Sequence, residues 1–186
     1  FNRSRWSLLF IVFLYKKFYQ KDQINIWVPS YYCNYALSKI RNHYKEVKFI
    51  FYPINESLNF EINELIKINA KHSIDIFIKV NYFGKDLNNL ELTNFLYKNN
   101  SWLINDCTHC INPERNFEKY SDFSIYSPHK FYSIPSGAIC KINFTGIGKK
   151  ILEKKIFDKN DLKKDFRREL NLNTFKINFI DFYCNS

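Results

Sequence analysis

Apolar side chains follow two alternating spacings along this chain. Residues 5–19 repeat them at i, i+3 and i+4, which predicts an amphipathic helix, whereas residues 24–28 alternate and stop at Pro29, which predicts a strand. The two patterns then follow each other. We expect helices at 36–44, 62–70 and 90–97, strands at 47–52, 74–80, 102–104 and 138–142, and a strand-like stretch that ends at Ser127.

Strands separated by helices of this length are typical of βαβ units. The chain is therefore predicted to have an α/β fold, a three-layer αβα arrangement with a mainly parallel sheet. In such sheets ligands bind beyond the carboxyl ends of the strands. Four polar segments directly follow apolar strands, so they should meet at this edge. These segments are residues 29–34, 81–84, 106–109 and 127–130.

The length and the charge narrow the class of protein. At 186 residues the chain can bury one substantial core. It begins with Phe1 and ends at Ser186 without an evident closing element, so we interpret it as an internal piece of a longer protein. The net charge of +10 invites a nucleic-acid hypothesis, but the basic cluster within 149–168 sits at helical spacing among acidic residues. We interpret that cluster as a solvated, ion-paired helix face and expect no nucleic-acid partner.

Five cysteines do not form a disulfide pattern, because their number is odd and their spacing is irregular. Cys107 and Cys110 form a C-x-x-C around His109, which is compatible with a redox pair or half of a zinc site. No second ligand pair follows, so we expect no metal and a cytoplasmic, reducing setting. The apolar run at 8–15 is shorter than the roughly 20 residues that span a bilayer, and we expect no membrane segment.

Two charged residues stand at the ends of apolar stretches. Lys130 follows the stretch that ends at Ser127, and Asp106 ends the apolar run that begins at Trp102. An amine and a carboxylate at one edge of a sheet are what a pyridoxal phosphate site needs, because the cofactor binds an amine covalently and requires a protonated pyridine nitrogen.

The four polar segments also resemble a known family. Val28-Pro-Ser-Tyr-Tyr-Cys-Asn34, Val80-Asn-Tyr-Phe-Gly84, Ile104-Asn-Asp-Cys-Thr-His109 and Ser127-Pro-His-Lys130 are similar to successive blocks of fold-type I pyridoxal phosphate enzymes, most of all the DegT/DnrJ/StrS sugar aminotransferases. The likeness runs in order from about residue 3 to residue 142. It implies a cofactor-binding large domain at 1–142, truncated at its N-terminus. Residues 143–186 would then be a helical connection towards a small C-terminal domain that is missing.

The resemblance implies a role for each block. Lys130 matches the catalytic lysine, which holds the cofactor covalently and moves a proton, and Asp106 matches the aspartate beside the pyridine nitrogen. A carboxylate ~4 Å from that nitrogen contributes about 4 kcal/mol at an effective dielectric near 20. His109 and Asn81 match neighbours of the cofactor ring. An ordinary surface lysine and satisfied turn residues are the structural alternatives for these positions.

The remaining cofactor contacts implied by the resemblance concern the phosphate and the ring face. Ser127 matches the phosphate-binding serine, and the segment that contains Ser4 and Arg5 resembles the family's Ser-Gly-Arg-x-Ala-Leu block. Arg3 and Ser4 replace its Ser and Gly, so the backbone approaches the phosphate less closely. Tyr32 is a candidate for stacking on the ring, with Tyr31 and Cys33 as alternatives.

The resemblance implies transamination as the reaction. An amino acid donor, Glu or Gln, passes its amino group to a keto group, expected on a nucleotide-linked sugar in surface polysaccharide or cell-wall biosynthesis. The resemblance also implies a homodimer. Two alternatives stay open: a non-catalytic or regulatory member of the same fold, and another pyridoxal phosphate reaction, such as that of a desulfurase, an aldolase-type enzyme or a dehydratase.

Overall fold

A computed structural model describes residues 1–85, 90–110, 120–143 and 159–170. Within these residues, helices and strands alternate along the chain as the apolar spacing predicts. The elements are α1 (Ser4–Tyr19), β1 (Ile24–Pro29), α2 (Asn34–His43), β2 (Val47–Tyr52), α3 (Ile62–Asn69), β3 (Ile76–Val80), α4 (Leu90–Lys98), β4 (Trp102–Asp106), β5 (Phe123–Tyr126), β6 (Ile139–Ile142) and α5 (Lys159–Glu169). Two short 3₁₀ helices, Tyr82–Gly84 and Pro128–Lys130, follow β3 and β5.

The six strands form one sheet in the order β2-β1-β3-β4-β5-β6. The first five run parallel, and β6 pairs antiparallel with β5. The chain leaves β1 towards one edge of the sheet and then returns to build β3 and β4 on the other side. The connections therefore diverge between β1 and β3, which creates a crevice at the carboxyl ends of these strands.

Helices cover both faces of the sheet. One core joins α1, α2 and α5 to one face of the strands and includes Phe13, Leu37 and Ile78. The other joins α3 and α4 to the opposite face and includes Leu65 and Phe77. Successive residues of β3 thus enter different cores, as the period of two in a strand requires. The mainly parallel, three-layer α/β prediction is confirmed.

Several predicted boundaries were wrong by about two residues. The strand expected at 102–104 continues to Asp106, because Asn105 and Asp106 pair in register with β3 despite their polar side chains. The strand expected at 74–80 begins only at Ile76. The helix expected at 36–44 begins at Asn34. Asn34, Asn105 and Asp106 are polar and interrupt the apolar pattern although the helix or strand includes them, whereas Ile74 is apolar but lies before the strand begins. Periodicity alone therefore misplaces the ends.

Helix α5 packs its aromatic side chain against α1. The Phe166 ring lies 5.2 Å from that of Phe10 and 5.1 Å from that of Phe13, and Asp165 pairs with Lys17. On its solvated face Arg168 lies 3.7 Å from Asp165, in line with the ion-paired helix that the sequence predicts. The basic residues at 149–155 lie outside the described residues. None of the described helices is both long and apolar enough to cross a membrane.

Candidate active site

A cavity of about 730 Å³ opens at the carboxyl ends of the parallel strands. The start of α1, the loop after β1, the end of β4 and the 3₁₀ helix after β5 contribute to its wall. Six of the residues predicted for the site line it, namely Ser4, Arg5, Tyr32, Asp106, His109 and Lys130. Its volume is within the range of small-molecule and cofactor sites, roughly 300–1,000 Å³.

Asp106 is the buried carboxylate of this cavity, with 4% of its surface exposed. The Thr108 backbone N–H donates to its Oδ1 at 3.0 Å, which forms the local turn that an Asp after a strand often makes. The Tyr32 hydroxyl donates to its Oδ2 at 2.7 Å. Each carboxylate oxygen has two lone pairs, so both oxygens keep capacity for a ligand. The turn role and a binding role are therefore compatible at this residue.

Lys130 reaches the cavity from the 3₁₀ helix Pro128–Lys130, and it is exposed. Its neighbour His129 also lines the cavity, although no role was predicted for it from the sequence. The His129 Nδ1 lies 2.6 Å from the Gly137 carbonyl oxygen, so it donates there. A neutral His129 then keeps Nε2 as an acceptor. The sequence signal for His129 was its adjacency to the predicted lysine.

His109 lies close enough to Lys130 for the lysine's charge to affect the pKa of the imidazole. Burial and the nearby Lys130 charge lower the pKa of His109, while Asp106 acts in the opposite direction. Its ring stacks on Phe83, with centroids 5.8 Å apart. Its Nδ1 is buried without a hydrogen-bond partner among the described residues. His109 is therefore a neutral imidazole at pH 7 with hydrogen-bonding capacity that the described protein groups do not use.

The start of α1 gives the cavity its positive end. Arg3, Ser4 and Arg5 line the wall at the start of this 16-residue helix, which has no side-chain cap at its N-terminus and no acidic residue in its first turn. The Arg3 guanidinium donates to the Pro135 carbonyl oxygen at 3.2 Å, and that of Arg5 lies 4.5 Å above the Tyr35 ring. Cations beside a helix N-terminus suit an anion such as a phosphate.

Two predicted site residues do not line the cavity. Ser127 is 1% exposed and precedes the 3₁₀ helix that carries Lys130, and its Oγ has no hydrogen-bond partner in the described part of the chain. Asn81 is fully buried, and its Nδ2 donates to Asn105 Oδ1 at 3.3 Å and to Cys107 Sγ at 3.2 Å. Both residues lie behind the cavity wall, where they can act on residues that form it.

The C-x-x-C pair is buried around Asn81. Cys110 donates from Sγ to the Asn81 carbonyl oxygen at 3.7 Å, and the contact between the two thiols together with burial raises the pKa of Cys107. Over the described ranges, no group of three or more His, Cys, Asp or Glu side chains is arranged to hold a metal ion.

Comparisons with known proteins identify the fold. No protein-family model matches the chain, and no curated protein matches it. Solved structures do match it. The E coli GDP-4-keto-6-deoxy-D-mannose-3-dehydratase with bound hydrated PLP is 20% identical, with a TM-score of 0.59, over 82% of this chain and 40% of that chain. Helicobacter pylori PseC, an aminotransferase involved in the biosynthesis of pseudoaminic acid, is 18% identical, with a TM-score of 0.58, over 82% and 41%.

A third match is the PLP-bound C-S lyase from Staphylococcus hominis, which is 15% identical, with a TM-score of 0.54, over 78% of this chain and 43% of that chain. At such identities the likeness shows the fold alone, which is the α/β fold of fold-type I pyridoxal phosphate enzymes. The chain spans about two fifths of the length of these structures. The three matches differ in reaction, so the fold does not determine the chemistry.

Proposed function

We propose that the cavity binds pyridoxal 5'-phosphate and that this chain is part of an aminotransferase. The observation that carries the proposal is that one cavity holds both an exposed amine, Lys130, and a buried carboxylate, Asp106. Asp106 ends β4, and Lys130 lies in the 3₁₀ helix that follows β5. The matches to PLP-bound structures support the same cofactor.

The residues around the cavity fit this cofactor. A phosphate suits the α1 N-terminus with its flanking Arg3 and Arg5. The ring's phenolic oxygen would form a hydrogen bond with His109, whose Nδ1 has no partner among the described residues. The pyridine nitrogen of the ring suits the carboxylate of Asp106. Ser127, the match to the phosphate-binding serine, holds a similarly unpartnered hydroxyl directly before the 3₁₀ helix that carries Lys130.

When bound, pyridoxal phosphate withdraws electrons from the Cα of an amino acid and so makes its bonds easier to break. The chain's residues then have separate tasks. Lys130 would hold the cofactor covalently, and its amine would move the proton that leaves Cα. Asp106 would favour a proton at the pyridine nitrogen. His109, with Asn81 behind it, would fix the orientation of the ring.

The reaction we propose is transamination from an amino acid donor, Glu or Gln, to a keto group of a nucleotide-linked sugar. The sequence resemblance supports this substrate class, and so does the likeness to an aminotransferase of pseudoaminic acid biosynthesis. A homodimer is part of the proposal. The matched 3-dehydratase supports a second candidate, removal of a sugar hydroxyl. Mass spectrometry of the products formed from a keto-sugar and glutamate separates the two, because only transamination adds nitrogen to the sugar.

The cofactor proposal is tested by spectroscopy on the purified chain. With pyridoxal phosphate, the wild type should develop an absorbance band near the edge of the visible range, and borohydride should fix a covalent adduct on Lys130 that peptide mass spectrometry locates. Lys130→Ala should lose the adduct completely. The matched control is Lys71→Ala, which removes an exposed lysine after α3 and should leave the adduct intact. A wild type without a band, or an adduct spread over surface lysines, contradicts the proposal.

A further inference from the structure

Tyr32 makes a contact that ring stacking does not explain. It lies in the loop between β1 and α2, 74 residues before Asp106 in the sequence, and its hydroxyl donates to Asp106 Oδ2 at 2.7 Å. Strand β3 lies between β1 and β4 in the sheet. The hydrogen bond therefore crosses the crevice at the point where the chain connections diverge. It ties the first strand of the cavity to the carboxylate at its base.

The protein holds the loop so that this contact forms. Tyr82 donates from its hydroxyl to the Tyr31 carbonyl oxygen, and the two rings lie 6.0 Å apart. On the strand side, the Ser30 N–H donates to the Tyr52 carbonyl oxygen at 2.8 Å, which continues the pairing of β1 with β2. The backbone directly before Tyr32 is thus fixed at both Ser30 and Tyr31.

The Tyr32 hydroxyl is a permanent donor. Burial, followed by the Asp106 charge and the hydrogen bond itself, raises the pKa of Tyr32 well above 10, so the hydroxyl stays protonated. The other titratable groups that interact with Asp106 are Tyr82, Cys107 and His109. The cations that line the same cavity are Arg3, Arg5, His129 when protonated, and Lys130.

Among the described residues, only two groups donate hydrogen bonds to the Asp106 carboxylate. They are the Thr108 backbone N–H and the Tyr32 hydroxyl. The first is a backbone group that any residue at position 108 other than proline supplies. The second depends on a side chain and is therefore the part of the arrangement that a substitution can remove.

We propose that Tyr32 is the positioning residue of Asp106: its hydroxyl fixes one carboxylate oxygen at the base of the cavity. A carboxylate bonded on both oxygens keeps its orientation, which is the property that a ring nitrogen placed against it needs. This role differs from the stacking role expected from the sequence. It rests on the proposed function only for the identity of the ligand, since the hydrogen bond belongs to the protein alone.

The test is the chemical shift of the Asp106 carboxyl carbon, measured by NMR at pH 8 in protein without added cofactor. Tyr32→Phe keeps the ring and removes the hydroxyl that donates to Asp106 Oδ2, so the signal should move. The control, Tyr132→Phe, removes an exposed hydroxyl two residues from Lys130 and should leave the signal in place.

A signal in Tyr32→Phe that coincides with the wild type overturns the proposal. If Tyr32→Phe does not fold, 3-fluorotyrosine placed at position 32 keeps the hydroxyl and makes it a stronger donor. The Asp106 signal should again move, and an unchanged signal contradicts the role. A wild type that binds no pyridoxal phosphate sinks the proposed function but leaves this measurement decisive, so the two failures are distinguishable.

Where the cofactor binds, the same hydrogen bond has a second readout. Tyr32→Phe should weaken the affinity for pyridoxal phosphate by about tenfold, because the hydroxyl acts through the carboxylate. When Asp106→Asn is already present, the same substitution should change the affinity much less. An equal loss of affinity in both backgrounds indicates lost ring packing and contradicts the positioning role.

Discussion

Two buried aspartates lie at opposite ends of the parallel strands and are bonded in similar ways. Asp75, just before β3, accepts hydrogen bonds from the Tyr15 hydroxyl at 2.8 Å and the Asn25 N–H at 2.7 Å, and it pairs with Lys21. Asp106, at the end of β4, accepts a tyrosine hydroxyl and a backbone N–H. A tyrosine–aspartate hydrogen bond is therefore not by itself a mark of function.

The surroundings of the two carboxylates differ. Asp75 has its cation within the protein, in Lys21, and it holds together α1, β1 and β3. Asp106 opens on a cavity whose wall or surroundings contain His109 Nδ1 and Ser127 Oγ, two buried polar atoms without partners in the described structure. Buried polar atoms are usually satisfied, so an unpartnered His109 Nδ1 on the wall of the same cavity as Asp106 points to a ligand. The first aspartate is interpreted as structural, and the second as binding.

The largest expected effect separates these two aspartates directly. Asp106→Asn keeps the shape of the side chain and removes its charge, which contributes about 4 kcal/mol to a cationic ring nitrogen ~4 Å away. The affinity for pyridoxal phosphate should fall by up to about a thousandfold, measured by absorbance titration. Asp75→Asn should leave the affinity of the folded protein unchanged. Equal losses of affinity in the two variants would contradict the interpretation of Asp75 as structural and Asp106 as binding.

The second-largest expected effect concerns the free energy of unfolding and the contact between Tyr15 and Asp75. Tyr15→Phe removes a buried donor to Asp75 and should lower the free energy of unfolding by about 1–3 kcal/mol at pH 8, measured by urea denaturation. Cofactor affinity should not change. A variant as stable as the wild type contradicts the structural interpretation of this contact.

Tyr15 also predicts how stability depends on alkaline pH. Burial and Asp75 raise the pKa of Tyr15, whereas an unfolded tyrosine ionises near pH 10. Above pH 10 the unfolded chain binds fewer protons than the folded one, so stability that is fully present below pH 10 falls as the pH rises. The decline between pH 9 and pH 11 should be shallower in Tyr15→Phe. Tyr44 and Tyr52 also have raised pKa values, so part of the decline remains.

The sequence predicts the arrangement of the elements better than the contacts within the site. Apolar periodicity identifies the alternating helices and strands, and the rule for carboxyl ends then brings the polar segments to one edge. Asp106 and Lys130 could be named in this way because each follows an apolar run. The end of β4 was missed because Asn105 and Asp106 are polar yet buried and hydrogen-bonded. The start of β3 was placed too early because Asp75 is bonded to the Asn25 N–H and lies before the strand. No local pattern reveals these contacts.

The partner of Asp106 could not be predicted for a physical reason. Tyr32 reaches it only because β3 lies between β1 and β4 and Tyr82 fixes the backbone at Tyr31. Each of these conditions depends on strand order and register, which single-sequence periodicity does not specify. For the same reason Asn81 and Ser127, which follow strands as the other site residues do, lie behind the wall rather than in it. Position along the strand could be predicted, but the direction of the side chain could not.

The smallest expected effect concerns His109 and the acid side of the pH range. Burial and Lys130 lower the pKa of His109, whereas an unfolded histidine takes up its proton near pH 6.5. The stability contributed by the neutral imidazole is therefore present above pH 6.5 and is lost as the pH falls towards the folded-state pKa. His109→Gln keeps a hydrogen-bonding side chain that does not titrate.

Unfolding free energies at pH 7.5 and pH 5.5 measure this contribution. The acid loss should be smaller in His109→Gln than in the wild type, because glutamine does not take up a proton in this range. His72→Gln, at an exposed position after α3, should retain the wild-type loss. If both variants behave as the wild type, His109 titrates like a surface histidine and the cavity does not desolvate it. If only His109→Gln shows a smaller acid loss, the cavity end of the sheet contains a neutral imidazole beside Lys130 that is available to a ligand.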